Sequence, residues 1–356
     1  MKKIVLTGGG TAGHVTPNIA MLDRLKSEGY EIYYIGSKNG IEKKLIENQG
    51  IPYYGISTGK LRRYFSWKNF TDPFRVLKGL SEAKKAIKDI DPDVCFSKGG
   101  FVSVPVVLAA KKCKVPTIVH ESDMTPGLAN RIAIKRAKKV CCNFPETVEK
   151  LPEGKGVLTG TPLRKELFTG SKKEAFKFCG FGDVNRPVLL AFGGSTGAAK
   201  LNEAVRKNLD TLLEKYNVIH LCGKGKGDES YNDRIGYKQI EYCDKEMKDM
   251  FAAADVVLSR AGANAICELL ALKKPNILVP LGLDQSRGDQ ILNAASFEKQ
   301  GYSKVIQDDK ILEVDLPKEI DALYEEREKY IETMAQAANV NAEDIIINLL
   351  KEVERQ

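Results

Sequence analysis

A glycine-rich turn near the start of the chain combines groups that bind anions with a group that moves protons. The apolar residues 4–7 (IVLT) lead into residues 8–13 (GGGTAG), and His14 follows directly. Glycines let backbone amides approach a ligand closely, and the N-terminus of a following helix favours negative charge. Imidazole has an ordinary pKa that suits proton transfer near neutrality, so His14 is a candidate general base. The alternative role for His14 is that of a turn residue bonded to the backbone.

The same signature occurs a second time in the chain. Residues 188–192 (VLLAF) lead into residues 193–198 (GGSTGA), where the Ser195 hydroxyl could face a phosphate or cap the following helix. A strand followed by a glycine turn and a helix is the usual opening of a doubly wound domain. We therefore predict two such domains in tandem, each with a ligand crevice beyond the carboxyl ends of its strands.

Short apolar runs alternate with amphipathic stretches, which predicts parallel sheets covered by helices and an α/β fold. The predicted strands are residues 4–7, 31–36, 94–97, 117–120, 139–142, 188–192, 218–222, 256–259 and 277–280. Residues 160–162 (GTP) break regular structure, so we predict one domain over residues 1–162 and another over residues 163–356. The apolar positions of the last helix, residues 342–353, predict that it packs back on the N-terminal domain.

Several common cofactor and metal sites are not indicated. Residues 8–13 satisfy the G-x-G-x-x-G pattern of dinucleotide sites, but the second strand ends in residues 36–38 (GSK) and lacks the acid that holds a ribose. Neither glycine turn carries the Lys-Ser/Thr pair of a P-loop. The Asp-x-Asp motif at residues 91–93 precedes a strand, at the sheet edge opposite the ligand crevice. The eight cysteines form no C-x-x-C pair, so they indicate neither a zinc site nor a redox pair, and we expect buried thiols. From these patterns together we expect no metal and no cofactor.

Polar residues at other points of the predicted sheets are further candidates. His120 and Glu121, at the end of one strand, are candidates for proton transfer. His220 lies inside an apolar run and is expected in the core. Glu268, at the end of the segment RAGANAICE, could accept both hydroxyls of a ribose or cap a helix. The polar residues 282–290 are of the types that bind sugar hydroxyls, and their alternative role is a solvated loop.

Positive charge is concentrated in the N-terminal half. Residues 1–160 hold 27 Lys and Arg against 15 Asp and Glu, a net charge of +12, whereas the remainder holds 28 against 32, a net charge of −4. Within residues 60–88, nine basic residues and the only tryptophan, Trp67, accompany just two acids. Cations interleaved with aromatic residues suit an anionic lipid surface, and no RNA-binding motif accompanies them. A solvated basic face is the alternative.

Composition excludes several other classes of protein. Hydrophobic residues make up 43% of the chain and charged residues 29%, which is typical of globular proteins and not of disordered or fibrous ones. No stretch of about 20 apolar residues is present, so we expect no membrane-spanning helix.

Six motifs together resemble the bacterial MurG family in order and spacing. They are residues 8–14 (GGGTAGH), 120–123 (HESD) with 126–130 (PGLAN), 160–164 (GTPLR), 193–198 (GGSTGA), 259–268 and 284–293. The resemblance implies a GT-B fold, in which two Rossmann-like domains face a central cleft. It also implies an inverting, metal-independent hexosyltransferase of peptidoglycan synthesis. Such an enzyme moves N-acetylglucosamine from UDP-N-acetylglucosamine to the 4-hydroxyl of lipid I and makes lipid II.

Single residues receive roles from this combined interpretation. His14 is our first candidate for the catalytic base, and Glu121 is the second. By resemblance, the residues matched to UDP-N-acetylglucosamine binding are Thr11, Ala12, Gly13, Asp123, Arg164, Ser195, Arg260, Ala263, Asn264, Glu268 and Gln290. The residues expected to associate with the membrane are Arg62, Arg63, Phe65, Trp67, Lys68 and Phe70.

The resemblance further implies a peripheral protein on the cytoplasmic side of the cell membrane. Its expected partners are the UDP-sugar donor, an undecaprenyl-linked acceptor and an anionic membrane surface, without nucleic acid. Two alternatives stay open at this point. A soluble UDP-sugar epimerase or hydrolase of the same architecture would have no use for the basic segment. A nucleotide-binding module without activity would tolerate the loss of His14.

Overall fold

The chain forms two compact units, which the computed structural model describes over residues 2–59, 68–194, 198–337 and 341–355, with the backbone alone for residues 68–74. The first unit contains the chain up to Arg164 together with the last helix. The second unit begins at Lys165 and ends before that helix. The boundary that we predicted after Pro162 lies two residues before Arg164.

Seven parallel strands form the sheet of the first unit in the order β3-β2-β1-β4-β5-β6-β7. The strands are β1 (Lys2–Thr7), β2 (Tyr30–Ser37), β3 (Tyr53–Ile56), β4 (Val94–Ser97), β5 (Thr117–Glu121), β6 (Lys139–Cys142) and β7 (Gly156–Leu158). Side chains on both faces of the central strands are buried, as in Val5 and Leu6 of β1. Burial on both faces is why these strands are continuous apolar runs in the sequence.

Helices cover this sheet. They are α1 (Thr16–Ala20), α2 (Leu22–Ser27), α3 (Ile41–Glu47), α4 (Lys68–Ile90), α5 (Ser103–Lys112), α6 (Leu128–Ile134) and α7 (Pro145–Glu149), with a 3-10 helix at Ala12–His14. The apolar pattern of residues 18–28 suggests one helix, but the structure has two, because a turn at Met21 separates α1 from α2.

The last helix of the chain, α16 (Ala342–Val353), packs in the core of the first unit. Ile346, Ile347 and Leu350 are fully buried in one cluster with Ile4 and Leu6 of β1. Their spacing places them on one face of the helix. This buried face covers one side of the sheet. Strand β1 of that sheet leads into the first glycine turn.

The second unit has a six-stranded parallel sheet in the order β10-β9-β8-β11-β12-β13. Its strands are β8 (Val188–Phe192), β9 (Asn217–Leu221), β10 (Tyr237–Ile240), β11 (Val256–Ser259), β12 (Asn276–Leu278) and β13 (Lys304–Val305). Its helices are α8 (Lys172–Cys179), α9 (Ala199–Lys207), α10 (Leu209–Lys215), α11 (Met247–Ala253), α12 (Ala263–Ala271), α13 (Asp289–Lys299), α14 (Leu316–Glu325) and α15 (Arg327–Ala335). Two 3-10 helices, Lys165–Thr169 and Glu229–Tyr231, complete the unit's described helical segments.

Each sheet reverses its strand order beside its first strand. The first unit reverses between β1 and β4, and the second between β8 and β11. Ligands of open α/β sheets bind outside the carboxyl ends of the strands at this point. The two glycine turns identified from the sequence follow β1 and β8, so each follows the first strand of such a reversal. None of the helices in the described ranges is long and apolar enough to cross a membrane.

Candidate active site

The first glycine turn packs against a second turn, residues 98–100 (KGG), which follows β4. A Cβ atom on Gly100 would lie 2.2 Å from the carbonyl oxygen of Gly9, and a Cβ atom on Gly8 would lie 2.4 Å from the carbonyl oxygen of His14. Gly100 also has a φ of +80°, in the left-handed region. Both the conformation and the close approach therefore require glycine here. The two turns form a backbone surface at the point where the strand order reverses.

A buried carboxylate on α3 holds the first turn in place. Glu42 accepts a hydrogen bond from the backbone amide of Gly10 at 3.3 Å through Oε2. Its Oε1 accepts from the amide of Ser37 at 3.0 Å and from the Ser37 hydroxyl at 2.5 Å. The Tyr34 hydroxyl donates to the carbonyl oxygen of Gly8 at 2.8 Å from the same strand, β2. The turn after β1 is thus tied to the end of β2.

His14 stands at the end of the 3-10 helix that follows the turn, and the residue is half-buried. Its Nδ1 lies 2.9 Å from the Thr11 hydroxyl oxygen, whereas its Nε2 has no partner in the part of the chain that the structure describes. With the ring proton on Nδ1, the imidazole donates to Thr11 and leaves Nε2 free to accept a proton. Burial and the positive charge of Lys98 lower the pKa of His14 to about 4, against the opposing charge of Glu42. The ring is therefore uncharged at neutral pH.

Lys98 is a fully buried lysine between β4 and β5, with 1% of its surface exposed. Its Nζ lies 2.8 Å from Nδ1 of His120 and 2.5 Å from the Ser122 hydroxyl oxygen. The Nε2 of His120 lies 2.8 Å from the carbonyl oxygen of Gly160. Both ring nitrogens of His120 are thus engaged inside the protein. This geometry does not suit His120 for proton exchange with a substrate.

Glu121, our second candidate for the base, is also buried and held on both carboxylate oxygens. Its Oε1 accepts from the backbone amide of Asp123 at 3.0 Å, and its Oε2 accepts from the Asn130 side chain at 2.8 Å. Burial raises the pKa of Glu121 to about 7, with the charge of Asp123 acting in the same direction and the bond from Asn130 opposing it. The carboxylate fixes the loop after β5. Glu121 is therefore better suited to supporting that loop than to accepting a proton from a substrate.

In the second unit, Arg260 follows β11 and is buried in an ion-pair cluster. Its guanidinium donates to Oδ1 of Asp308 at 2.5 Å and to the carbonyl oxygen of Val279 at 3.0 Å. Lys200, on the first turn of α9, lies 3.0 Å from Oδ2 of the same aspartate. Burial raises the pKa of Asp308, but the bonds from Arg260 and Lys200 outweigh it and hold that pKa below its ordinary value. The cluster links the ends of β11 and β13 to the helix behind the second glycine turn.

Two other candidate residues of the second unit lie on helices near these strand ends. Glu268 is half-buried within α12, whose N-cap is Gly262 without a side-chain cap, so Glu268 does not cap the helix start. Gln290, in the first turn of α13, accepts a hydrogen bond from the backbone amide of Leu281 at 3.1 Å. Its amide group is thereby held against the loop after β12.

Comparison with known proteins gives two matching domains. Residues 4–142 match the glycosyltransferase family 28 N-terminal domain, and residues 188–349 match the family 28 C-terminal domain. A protein of Lachnoclostridium phytofermentans is 63% identical over 99% of each chain, and one of Lachnospira eligens is 59% identical over 99% of each chain. Both are named UDP-N-acetylglucosamine--N-acetylmuramyl-(pentapeptide) pyrophosphoryl-undecaprenol N-acetylglucosamine transferase. The chain belongs to the MurG family.

Solved structures of other proteins share the fold of this chain. MurG of Acinetobacter baumannii superposes with a TM-score of 0.75 at 24% identity, covering 99% of this chain and 100% of that one. A UDP-GlcNAc 2-epimerase from Neisseria meningitidis gives a TM-score of 0.69 at 15% identity over 99% of this chain and 100% of its own. At such identities the likeness shows the fold alone. The fold class predicted from the MurG resemblance, GT-B, is confirmed.

The structure places the MurG-type candidate residues in two groups, one in each unit. The first unit gathers its group around the ends of β1 and β5: Thr11, Ala12, Gly13, His14, Glu121 and Asp123. Arg164 also belongs to this unit, at its boundary. The second unit holds its group on the β11–α12 connection, α12 and α13: Arg260, Ala263, Asn264, Glu268 and Gln290.

Several predicted residues lie outside the described part of the chain. They are Ser195 in the second glycine turn and, in the basic segment, Arg62, Arg63, Phe65 and Trp67. Of Lys68 and Phe70 only the backbone is described, in α4. Within the described ranges, no group of three or more His, Cys, Asp or Glu side chains could hold a metal ion.

Three residues of this MurG-family chain were missed by sequence reasoning. Lys98 had a visible signal, because it begins a strand-then-glycine pattern like that of the first turn. Glu42 follows the second strand by five residues, beyond the position at which a dinucleotide site would carry its acid. Asp308 gave no local signal, since its partners Arg260 and Lys200 are distant in the chain.

Replacing Asp308 tests the ion-pair cluster. Asp308→Ala leaves the buried Arg260 without its carboxylate, and loss of one partner of a buried pair costs about 3–5 kcal/mol. We expect a loss of that size in the free energy of unfolding, measured by urea titration with circular dichroism. Asp210→Ala breaks an exposed pair with Arg234 and should leave stability unchanged. Equal stability of the two variants would contradict a structural role for the cluster.

Proposed function

We propose that this chain transfers N-acetylglucosamine from UDP-N-acetylglucosamine to the 4-hydroxyl of the undecaprenyl-linked acceptor lipid I, as one step of peptidoglycan synthesis. Relatives at 63% and 59% identity, matched over 99% of their length, carry the name of this transferase. That level of identity over the whole chain supports the same donor and acceptor here. Neither of these two relatives is named as an epimerase or a hydrolase, so they do not support that alternative.

The position of His14 carries the proposed mechanism. In a single inverting displacement, the acceptor oxygen bonds to the anomeric carbon, the bond from that carbon to the UDP oxygen breaks, and the hydroxyl proton passes to a base. The His14 ring is uncharged and lies beside the first glycine turn, and its Nε2 has no partner among the described residues. Glu121 has both oxygens engaged, one by the backbone amide of Asp123 and the other by the Asn130 side chain on α6. We therefore assign the base to His14.

The donor is assigned to the second unit. The N-terminus of α9, a helix of nine residues, favours the negative charge that develops on the leaving UDP. By resemblance, Ser195 would bind the same group. Arg164 supplies a further positive charge by resemblance. Glu268 would bind the ribose hydroxyls and Gln290 the sugar. In this proposal protein groups stabilise the leaving group, so the reaction needs no divalent cation.

The remaining matched residues complete the proposed substrate contacts. We propose that the first turn and the loop after β5 contact the acceptor and the donor sugar. The residues concerned are Thr11, Ala12, Gly13 and Asp123. We propose that the start of α12 contacts the nucleotide through Ala263 and Asn264. Arg260 would act indirectly, because Asp308 holds its guanidinium inside the protein.

Membrane association is assigned to the basic segment and its continuation along α4. The described part of this helix exposes Arg75, Lys78, Lys84 and Lys85, and Leu77 among them is 62% exposed. Each basic side chain near an anionic surface contributes about 1 kcal/mol to binding. A positively charged face with an exposed apolar residue supports a peripheral protein on anionic lipid at the cytoplasmic side.

A transfer assay tests the proposed function directly. The protein is incubated with radiolabelled UDP-N-acetylglucosamine and a short-chain lipid I analogue, with and without a chelator. We expect label in the lipid product at equal rates in both arms. Release of free sugar or epimerised donor without lipid product would favour the alternative enzymes. Activity that disappears with chelator and returns with magnesium or manganese would contradict the cation-free reaction.

Substitution of the two candidate bases separates them. His14→Ala should lower kcat by about 10² or more, because general base catalysis contributes at least that much, while affinity for the UDP-sugar changes little. Glu121→Gln keeps the size of the side chain and its bond from Asn130 in part, and should retain most of the turnover. Steady-state kinetics on the lipid I analogue provide the measurement. The opposite ranking would make Glu121 the base.

Charge reversal tests the membrane surface. Changing Arg62, Arg63 and Lys68 to Glu should weaken sedimentation with anionic vesicles and spare turnover of a water-soluble acceptor analogue, because only the lipid surface is repelled. The control reverses three exposed lysines of the second unit: Lys173, Lys177 and Lys299. If both triple variants lose vesicle binding equally, net charge and not this segment determines it. Loss of soluble turnover would show a structural or catalytic role.

A further inference from the structure

We propose that Lys98 is a positioning residue whose buried ammonium adds to burial in disfavouring a positive charge on the neighbouring His14 ring and fixes the tautomer of His120. The inference rests on the proposed function to the extent that His14 is taken as the base. Its structural part concerns the first unit alone and is independent of which reaction the protein catalyses.

The contacts of Lys98 determine the state of His120. An ammonium group can only donate, so Nδ1 of His120, 2.8 Å from Nζ, must accept. The ring proton is then on Nε2, which donates to the carbonyl oxygen of Gly160 at 2.8 Å. A second proton on this ring would point an N–H group at the ammonium, and burial lowers the pKa of His120 well below its ordinary value. His120 is therefore a neutral link between Lys98 and the chain after β7.

The backbone brings the same lysine close to His14. The Cβ atom of Lys98 lies 3.3 Å from the position that a Cβ atom on Gly8 would occupy. On the other side, Nδ1 of His14 lies 3.4 Å from the corresponding position on Gly100. Both residues therefore lie against the pair of packed turns. A fixed positive charge at this place disfavours a second positive charge on the imidazole.

Charged groups from two elements act on the His14 ring in opposite directions. Lys98, after β4, disfavours the imidazolium, and Glu42 on α3 favours it through a carboxylate bonded to the amide of Gly10. Behind Lys98 on β5, His120 is neutral, and burial raises the pKa of Glu121 to about 7. With burial as the largest cause and Lys98 as the second, the pKa of His14 falls to about 4.

This arrangement has a consequence for the reaction. In the free protein His14 stays unprotonated far into the acid range, but a base with such a low pKa is weak. The acceptor carries a diphosphate, and where it binds at the first turn its negative charge would offset that of Lys98, so the base strengthens when the acceptor binds. The acid limb of kcat, which reports the complex, should then lie at higher pH than the acid limb of kcat/KM, which reports the free protein.

Three substitutions separate the charge of Lys98 from its volume. Lys98→Met removes the charge and keeps an unbranched side chain. Lys98→Arg keeps the charge and is the control. Lys98→Gln is a second neutral variant, whose amide can still donate to His120, and it replaces the methionine variant if that one does not fold.

The test is an NMR pH titration of the full-length protein with labelled histidines. The chain has three histidines, so each signal can be assigned by single substitution. We expect His14 to titrate near pH 4 in the unsubstituted protein and in Lys98→Arg. In a folded neutral variant its pKa should rise to about 5 or above, since a like charge nearby shifts a pKa by about one unit or more. An unchanged His14 titration in a folded neutral variant would overturn the proposal.

The nitrogen shifts of His120 give an independent readout. In the unsubstituted protein they should show a proton on Nε2 alone, and in Lys98→Met a mixture of tautomers. An Nδ1–H form in the unsubstituted protein would overturn the assignment of His120. These measurements need no turnover. If His14→Ala keeps full activity, the proposed base fails while the titration still decides the role of Lys98.

Discussion

The first unit's site depends on the close packing of the first glycine turn, after β1, against the KGG turn of residues 98–100, after β4. Gly9 and Gly100 approach so closely that a single methyl group between them would collide with a carbonyl oxygen. This contact places Lys98 against Gly8 of the first turn and His14 against Gly100 of the turn after β4. The chemistry assigned to His14 follows from that placement, because its charge state reflects burial and its neighbours.

Buried charges are held in pairs or networks in both units. In the first, Glu42 accepts from the turn after β1, and Lys98 donates to the loop after β5. In the second, Asp308 joins Arg260 to Lys200. Buried ions are costly unless they are bonded, and each of these groups is bonded to the backbone, to a neutral polar side chain or to another ion. In both units the effect is to fix a strand end near a glycine turn, which favours a preformed site.

Much of the fold and part of the site could be predicted from local pattern. The central strands are buried on both faces and therefore form apolar runs, which the sequence shows. The strands at the sheet edges are only partly buried and mixed in polarity, so the sequence analysis did not predict them. They are β3, β7, β10 and β13. His14 was found because it follows its own turn. Lys98 and Asp308 matter through partners far away in the chain, and spacing alone cannot show such contacts. Their importance became visible only with the burial and hydrogen bonds of the folded units.

Turnover of Gly100→Ala, compared with that of Gly29→Ala, tests the central claim most directly. Both glycines have a left-handed φ, +80° and +83°, so both variants carry a similar backbone cost of about 1–2 kcal/mol. A Cβ atom on Gly29 meets nothing within 4 Å, whereas one on Gly100 meets the carbonyl oxygen of Gly9. If packing of the turns positions the base, Gly100→Ala folds but loses about 10² in turnover and Gly29→Ala keeps it. Equal turnover of the two folded variants would contradict the account.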